Sequence, residues 1–331
     1  MSTTASRPRL VVLRALGLGD LLTAVPALRG LRAGFPGHEI VLAAPSALTP
    51  LVDLLDGVVD TVVDVDFRQR IGRLPDALAH PDIAVNLHGR GPESTWALAA
   101  LAPRRLLAFA DPDHAPGGPA WHADEHERSR WCRLLARHDI AADPDDLLLT
   151  PPPPQGDIDL TRFAAATVVH PGAASAARRW PVDRWAAVAR HERDRGRTVV
   201  ITGGADEGGL ADAVARFAGI DAGAVLAGRT GIVELAALIA AAGRVVCGDT
   251  GVAHLASAVA TPSVVLFGPT PPTRWGPPAT RHHVALWAGR DGDPHGREPD
   301  PGLLALTVGD VIDALAALPG RRRAHAGSGG P

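Results

Sequence analysis

Residues 245–268 read V-V-C-G-D-T-G-V-A-H-L-A-S-A-V-A-T-P-S-V-V-L-F-G. An apolar run that ends at Gly248 is followed by the turn Asp249-Thr250-Gly251, then by a segment carrying His254 and by a second apolar run. This order predicts strand, tight turn, helix and strand. Such a turn directs backbone N–H groups and the positive end of a helix at one point, which suits a phosphate or diphosphate. An Asp-Thr helix cap beside a buried histidine is the alternative interpretation.

Length and composition limit the classes of protein to consider. The chain has 331 residues, enough for two domains, and a formal net charge of -3. This charge gives no electrostatic case for binding nucleic acid or anionic lipid. The sequence contains no lysine, so any cationic contact to a phosphate must come from arginine or histidine.

The chain is predicted to be cytoplasmic. Its two cysteines, Cys132 and Cys247, are expected to be free thiols, and no Cys/His spacing matches a zinc site. The N-terminal residues lack the apolar core of a signal peptide, and no apolar stretch reaches membrane-spanning length. We therefore expect no transmembrane segment.

The first half alternates strands and helices, which predicts a parallel sheet covered on both faces. The clearest helix runs from Leu21 to Leu31, with apolar residues at helical spacing. A charged helix is expected from about His122 to His138. The predicted strands are 10–13, 39–43, 61–65, 83–87 and 105–108.

The second half restarts this pattern after Pro151-Pro152-Pro153-Pro154, which we interpret as a stiff connector. Strands are expected at 167–169 and 198–202, and helices at 182–193 and 308–318. The predicted domains are therefore 1–150 and 156–320, with a Pro-rich linker at 151–155 and a disordered tail at 321–331.

Candidate site residues follow predicted strands, where open α/β sheets bind their ligands. After the first strand, Gly17-Leu18-Gly19-Asp20 is either a glycine turn with Asp20 as helix cap or an acceptor site with Asp20 as general base. The loop His88-Gly89-Arg90-Gly91 is a second candidate on the acceptor side. Solvated side chains are the alternative for His88 and Arg90.

The second half carries the candidate donor residues. Gly172 lies in a loop of small residues that leads to Arg178 and Arg179, and arginine binds phosphate by bidentate hydrogen bonds. Asp206 and Glu207 follow a glycine turn, where a carboxylate accepts hydrogen bonds from ribose hydroxyls or a base amine. A solvated arginine pair and acids favoured by a helix dipole are the alternatives.

Four motifs together resemble the bacterial heptosyltransferases of glycosyltransferase family 9. They are Gly17-Leu18-Gly19-Asp20 with the following helix, His170-Pro171-Gly172-Ala173 with Arg179-Trp180-Pro181, Gly203-Gly204-Ala205-Asp206-Glu207, and residues 248–255, G-D-T-G-V-A-H-L. Their order and spacing are more specific than any one of them, and the resemblance covers most of the chain.

Membership of this family implies the GT-B architecture, in which two Rossmann-like, doubly wound domains face a central cleft. It implies an inverting transfer from a nucleotide sugar, most often ADP-heptose, without a metal or another cofactor. Asp20 matches the proposed base, and Asp249, Thr250, Gly251 and His254 match the donor-binding turn. Either Arg178 or Arg179 would contact the diphosphate, and either Asp206 or Glu207 the nucleoside.

The acceptor is left open as a glycan, a glycolipid or a small molecule with a free hydroxyl. Transient contact with a membrane surface is expected only if the acceptor is a lipid. The N-terminal half is not notably basic, which departs from a surface built for acidic lipopolysaccharide. Two alternative functions remain, a nucleotide-sugar epimerase of the same architecture and a non-catalytic nucleotide-sugar-binding protein.

Overall fold

A computed structural model describes residues 7–68, 70–154 and 158–319 of the chain. The chain divides into two compact units. Unit 1 contains residues 1–152 together with 273–276, and unit 2 contains 153–272 together with 277–331. The division falls within the run of four prolines. The predicted tail at 321–331 and Gln155 of the predicted linker lie outside the described residues.

Unit 1 is built on a five-stranded sheet with the order β3-β2-β1-β4-β5, in which every pairing is parallel. Its strands are near-continuous apolar runs because helices and loops cover both faces of such a sheet. The strands are β1 (Arg9–Leu13), β2 (Glu39–Ala44), β3 (Thr61–Asp64), β4 (Ile83–Asn86) and β5 (Arg105–Leu107). The helices are α1 (Leu18–Gly34), α2 (Thr49–Val52), α3 (Glu93–Ala99) and α4 (Glu127–Ala136).

Unit 2 repeats the plan with the strand order β10-β9-β8-β6-β7, again with parallel pairings. Its strands are β6 (Thr167–His170), β7 (Val199–Ile201), β8 (Arg244–Gly248), β9 (Ser263–Phe267) and β10 (His283–Trp287). Its helices are α5 (Val182–Asp194), α6 (Gly208–Ala218), α7 (Ile232–Ala241), α8 (Gly251–Ala258), α10 (Pro301–Ala305) and α11 (Val308–Ala317). The short helix α9 (Pro272–Trp275) begins in unit 2 and continues into the segment 273–276 of unit 1.

The two doubly wound α/β domains predicted from the sequence are confirmed. In each sheet the strand order reverses once, between β1 and β4 in unit 1 and between β6 and β8 in unit 2. Loops that leave adjacent strands in opposite directions open a crevice at such a point, and ligands bind there. The candidate residues Asp20 and His88 follow β1 and β4, whereas Gly172 and Asp249 follow β6 and β8.

Two helix boundaries were predicted wrongly. The helix expected from His122 begins only at Glu127. His126 is its N-cap, with an extended backbone and a side chain that accepts the Arg128 N–H, and the Arg130 guanidinium donates to the carbonyl oxygens of residues 122, 123 and 125. The helix expected from Leu21 begins at Leu18. Gly17 is its N-terminal cap residue, so Asp20 lies in the first turn and is not itself the N-cap.

Among the described residues, no helix combines the length and the apolar character needed to cross a lipid bilayer.

The packing of α1 against the chain after α4 is close at Gly30. A Cβ atom at this position would lie 2.7 Å from the carbonyl oxygen of Ala141 and 2.7 Å from the Cβ atom of Ala142. We therefore expect Gly30→Ala to destabilise unit 1 by about 1–3 kcal/mol, although alanine is the better helix former. Thermal unfolding of the full chain measures this as a lower Tm.

Gly37→Ala is the matched control, since nothing lies within 4 Å of a Cβ atom at Gly37. Equal Tm values for the two variants would contradict the close approach at Gly30.

Candidate functional site

The sequence analysis missed Arg14, which immediately follows β1 at the point where the strand order reverses. Its side chain is fully buried. The guanidinium donates to the carbonyl oxygens of Asp20 at 2.9 Å and Leu87 at 2.5 Å, and to Thr23 Oγ1 at 3.1 Å. These bonds tie the end of β1 to the first turns of α1 and to the end of β4. Only the fixed, planar fork of an arginine makes so many directed contacts from one position.

Arg14 also pairs with two carboxylates. Its Nη2 atom lies 3.4 Å from Asp20 Oδ1 and 3.1 Å from Glu127 Oε1, and its guanidinium carbon lies 4.8 Å from the centroid of the Trp131 ring. The buried Glu127 is paired a second time, with Arg130. Two acids and two arginines therefore form a chain, Asp20–Arg14–Glu127–Arg130, that leaves no buried charge unmatched.

Asp20 keeps an accessible carboxylate within this network. Its Oδ2 atom accepts the Gly17 N–H at 3.2 Å, which caps α1, while 28% of the side chain is exposed. Leu18 and Gly19 belong to the first helical turn, so the motif is a helix start and not an open glycine loop. Asp20 can therefore serve both as a helix-capping residue and as a general base, because one of its oxygens caps α1 while part of the side chain faces solvent.

His88 lies beside this carboxylate as a neutral ring. Burial and, to a smaller extent, the nearby Arg14 guanidinium lower the pKa of His88 to about 4, although the Asp20 carboxylate partly opposes both effects. At pH 7 the His88 ring is therefore uncharged. The neighbouring Arg90 is solvent-exposed. The structure brings both residues to one pocket with Asp20.

This pocket lies within unit 1 and has a volume of about 390 Å³. Small-molecule sites have volumes of about 300–1,000 Å³, so the size is suitable for a small ligand. Its lining includes Asp20, His88, Arg90, Trp121, Arg274 and Trp275.

In unit 2, a glycine leaves room for a carboxylate at the ends of β6 and β7. A Cβ atom at Gly172 would lie 2.1–2.2 Å from the carboxylate atoms of Glu207. Glu207 Oε2 accepts the Gly204 N–H at 2.8 Å, and this bond holds the carboxylate over the strand ends. Asp206 is exposed. Of the two acids between which the sequence could not decide, the structure places Glu207 against the Gly172 loop.

A buried histidine lies beneath this carboxylate. His170, the last residue of β6, has Nδ1 3.0 Å from Thr202 Oγ1. Burial lowers the pKa of His170, and the nearby Glu207 carboxylate partly opposes this effect. The neutral ring supports the loop that carries Gly172.

The turn after β8 has the predicted geometry. Thr250 is the N-cap of α8, which begins at Gly251, and its Oγ1 atom accepts the Val252 N–H at 3.2 Å. The backbone N–H of Asp249 donates to the Leu266 carbonyl oxygen at 3.0 Å, so the turn is fixed to β9. His254 lies one turn into α8 and is partly buried.

The two candidate arginines differ in position. Arg178 Nη1 lies 3.3 Å from the Asp249 carbonyl oxygen and 3.8 Å from Asp249 Oδ2. Arg179 is exposed, and its Nε atom donates to the Ala173 carbonyl oxygen at 2.9 Å. The structure therefore brings Arg178, and not Arg179, to the Asp249 turn.

One group of possible metal ligands occurs among the described residues, formed by Asp111, Asp113 and His114. Asp111 Oδ1 accepts the backbone N–H groups of Asp113 at 3.1 Å and His114 at 2.9 Å. These bonds make the group a hydrogen-bonded turn, which explains the clustering without an ion.

Comparison with known proteins confirms the resemblance. Residues 153–301 match the family model of glycosyltransferase family 9 (heptosyltransferase). A search of curated proteins finds no match.

Several solved structures share the fold. A glycosyltransferase family 9 protein from Veillonella parvula has a TM-score of 0.74 at 19% identity, covering 93% of this chain and 96% of its own. ADP-heptose LPS heptosyltransferase II from E. coli has a TM-score of 0.72 at 20% identity, covering 93% and 98%. E. coli heptosyltransferase WaaC with ADP has a TM-score of 0.65 at 21% identity, covering 93% and 97%. The chain therefore has the GT-B fold.

Replacement of Arg14 tests the buried network. Arg14→Met removes the cation shared by Asp20 and Glu127, and removal of one partner from a buried ion pair costs about 3–5 kcal/mol. We expect a loss of that size in the stability of unit 1, measured by denaturant unfolding of the full chain.

Arg104→Met is the matched control. Its side chain is 84% exposed and pairs with Asp82 at 3.6 Å, so we expect a loss of at most about 1 kcal/mol. An Arg14→Met variant as stable as the control would show that Arg14 does not anchor unit 1.

Proposed function

From the premise that this chain is a glycosyltransferase with a family 9 domain over residues 153–301, we propose that it transfers heptose from ADP-heptose to a hydroxyl group. The transfer is a single inverting displacement that needs no metal. The observation that carries this proposal is the partly exposed Asp20 carboxylate, fixed by Arg14 at the edge of a pocket large enough for a small acceptor.

Asp20 acts as the general base in this proposal. As the acceptor oxygen attacks the anomeric carbon, the Asp20 carboxylate takes the hydroxyl proton, which keeps positive charge off the attacking oxygen. Because His88 is neutral, it adds no positive charge beside the Asp20 carboxylate, and Arg14 holds that carboxylate in position. Gly17, Leu18 and Gly19 form the helix start that presents Asp20 to the acceptor.

The Asp249 turn binds the donor diphosphate. The bond from the anomeric carbon to the diphosphate oxygen breaks as the new glycosidic bond forms, so negative charge develops on the departing ADP. In this proposal Arg178, the amides at the start of α8 and the positive end of that helix stabilise the charge. His254 donates to a phosphate or sugar oxygen. Because the charge is met by fixed protein groups, a divalent cation is not required.

Glu207 binds the nucleoside. Its carboxylate accepts hydrogen bonds from ribose hydroxyls, and Gly172 leaves the space that this carboxylate occupies. Asp206 and Arg179 are assigned no direct contact, since Glu207 is the acid that lies against Gly172 and Arg178 is the arginine that contacts the Asp249 turn.

The identity of the donor rests on the structural neighbours. WaaC from E. coli has been solved with ADP and with ADP-2-deoxy-2-fluoro heptose. We extend this donor class to the present chain because its Asp249 turn and Glu207 offer contacts for a diphosphate and a ribose. The acceptor is a hydroxyl-bearing glycan, glycolipid or small molecule.

Asp20→Asn tests the reaction. The amide keeps the shape of the side chain but cannot accept a proton, so we expect the transfer rate to fall about 10²–10⁴-fold. The binding of ADP, measured by calorimetry, should stay unchanged because Asp20 lies in unit 1, outside the family 9 domain. Product formation is followed by mass spectrometry.

This experiment also separates the alternatives. An epimerase would convert the sugar in the absence of any acceptor, and a non-catalytic binding protein would show no turnover for Asp20→Asn to reduce. Either result would contradict the proposed transfer.

Gly172→Ala and Glu207→Gln test the nucleoside contact. The first forces the Glu207 carboxylate out of its position and the second removes its charge. A hydrogen bond to a charged group contributes about 1.5–3 kcal/mol, so we expect ADP to bind at least about tenfold more weakly to each variant. Calorimetric titration of ADP gives the affinities.

Asp206→Asn is the matched control and should bind ADP like the unchanged protein. A loss of affinity in Asp206→Asn with none in Glu207→Gln would reverse the assignment of the two acids.

A further inference from the structure

Unit 1 has a second cavity, which lies along α3 and has a volume of about 470 Å³. Its walls are one side of α3 and residues 71–80, which belong to the connection from β3 to β4. The cavity is larger than the pocket beside Asp20, and among the described residues the two share no lining residue. Small-molecule sites have volumes of about 300–1,000 Å³, so the size is suitable for a ligand. The proposed transfer uses no residue of this cavity.

One stripe of α3 and of the turn after it faces this cavity. Its members are spaced three or four residues apart, which places them on the same side of a helix. They are Glu93, Trp96, Ala97, Ala100 and Leu101. The neighbouring side of α3 is fixed to β4, because the buried Asn86 Nδ2 atom donates to Ser94 Oγ at 2.9 Å and to Thr95 Oγ1 at 3.1 Å. These bonds set the rotation of α3 about its axis and therefore hold Trp96 at the cavity.

The walls beside Trp96 are apolar and fixed in place. Leu74 and Leu101 are 2% and 5% exposed and belong to one apolar core cluster, against which Ile71 and Ala97 pack. Trp96 itself remains 48% exposed. Tryptophan is highly buried on average in folded proteins, and covering apolar surface lowers the free energy. The cavity therefore offers an apolar surface that a ligand can cover.

The charged residues of this cavity do not select a charged ligand. Arg73 pairs with Asp76, and their side chains are 81% and 80% exposed. The other two titratable residues of the lining, His80 and Glu93, are also exposed. Two carboxylates, one guanidinium and one imidazole give neither sign of charge a clear excess, and water and salt screen charges in exposed positions. Selection of a ligand therefore rests on the apolar walls.

We propose that this cavity binds a single alkyl chain of a lipid-like amphiphile. The stripe from Glu93 to Leu101 covers about 12 Å along the helix, at about 1.5 Å per residue. The short side chains of Ala97 and Ala100 leave space beside the Trp96 ring. A flexible chain follows such an elongated apolar wall and covers the exposed indole, while its polar head group stays in water. This proposal does not rest on the proposed transfer.

A series of non-ionic ethers tests this proposal. The monohexyl, monooctyl and monodecyl ethers of tetraethylene glycol share one uncharged head group that contains neither a sugar ring nor a phosphate. Each is titrated into the full chain below its critical micelle concentration, and the tryptophan indole N–H signals are followed by two-dimensional NMR. We expect the affinity to rise about fourfold with each added methylene group that becomes buried. Tetraethylene glycol alone should not bind.

Substitutions in the cavity locate the bound chain. The protein has seven tryptophans, and the indole signal that is missing in Trp96→Phe is the one that should shift during the titration. We expect Trp96→Ala to weaken binding of the octyl ether at least about tenfold. Ala100→Leu, which fills the space beside Trp96, should weaken it to a similar extent. Circular dichroism verifies that each variant is folded.

Phe217→Ala is the matched control and should bind the octyl ether like the unchanged protein. Phe217 is as exposed as Trp96, at 49%, but belongs to α6 of unit 2 and does not line the cavity.

Several results would overturn the proposal. They are no binding of any ether, an affinity independent of chain length, and octyl ether binding that neither Trp96→Ala nor Ala100→Leu weakens. A dimer that Trp96→Ala dissociates and the ethers leave intact, seen by sedimentation velocity, would assign the cavity to a second copy of the chain instead. A parallel titration with ADP separates this proposal from the proposed function. Ether binding without ADP binding would refute the transferase and keep the alkyl site, whereas ADP binding without ether binding would do the reverse.

Discussion

The buried guanidinium of Arg14 is the contact on which unit 1 depends. It joins the end of β1 to the first turns of α1, to Leu87 after β4 and to Glu127 at the start of α4. An arginine removed from water is tolerated only when its donors and its charge are satisfied, and here carbonyl oxygens and two carboxylates do so. The same contacts fix the position of Asp20. Arg14 therefore contributes both to the stability of unit 1 and to the proposed chemistry.

Unit 2 positions its candidate site residues through different contacts. No fully buried cation is placed at its strand ends among the described residues, and the Arg178 side chain that contacts the Asp249 turn is 23% exposed. The absence of a side chain at Gly172 makes room for Glu207, and Thr250 caps the helix that begins at Gly251. Amides, a helix end and a partly exposed arginine meet at the Asp249 turn, whereas the pocket of unit 1 is lined by both carboxylates and arginines.

Much of the fold could be predicted from local sequence patterns. Apolar runs predicted strands β1 to β9 to within one or two residues, whereas β10 was not predicted. The rule that ligands bind after strands selected Asp20, Gly172 and Asp249. Sites at strand ends can be predicted in this way because a parallel sheet brings the carboxyl ends of all its strands to one edge. The family resemblance suggested the chemistry, which periodicity cannot supply.

The features that were missed depend on long-range contacts. Arg14 resembles any charged residue after a strand until Glu127, 113 positions away, is placed beside it. The late start of α4 goes with hydrogen bonds from the Arg130 side chain to the carbonyl oxygens of residues 122, 123 and 125, which helical spacing does not reveal. The segment 273–276 could not be assigned to unit 1 from the sequence, since it lies between residues of unit 2. The choices of Glu207 over Asp206 and Arg178 over Arg179 likewise required coordinates.

The central claim is that unit 2 binds an adenosine diphosphate sugar through protein groups alone. The most direct test is a calorimetric titration of the full chain with ADP, UDP and GDP in the presence of EDTA, repeated with Mg²⁺. We expect ADP to bind more tightly than UDP and GDP, and we expect Mg²⁺ to leave the affinity for ADP unchanged. Tighter binding of UDP or GDP, or binding of ADP only when Mg²⁺ is present, would contradict it.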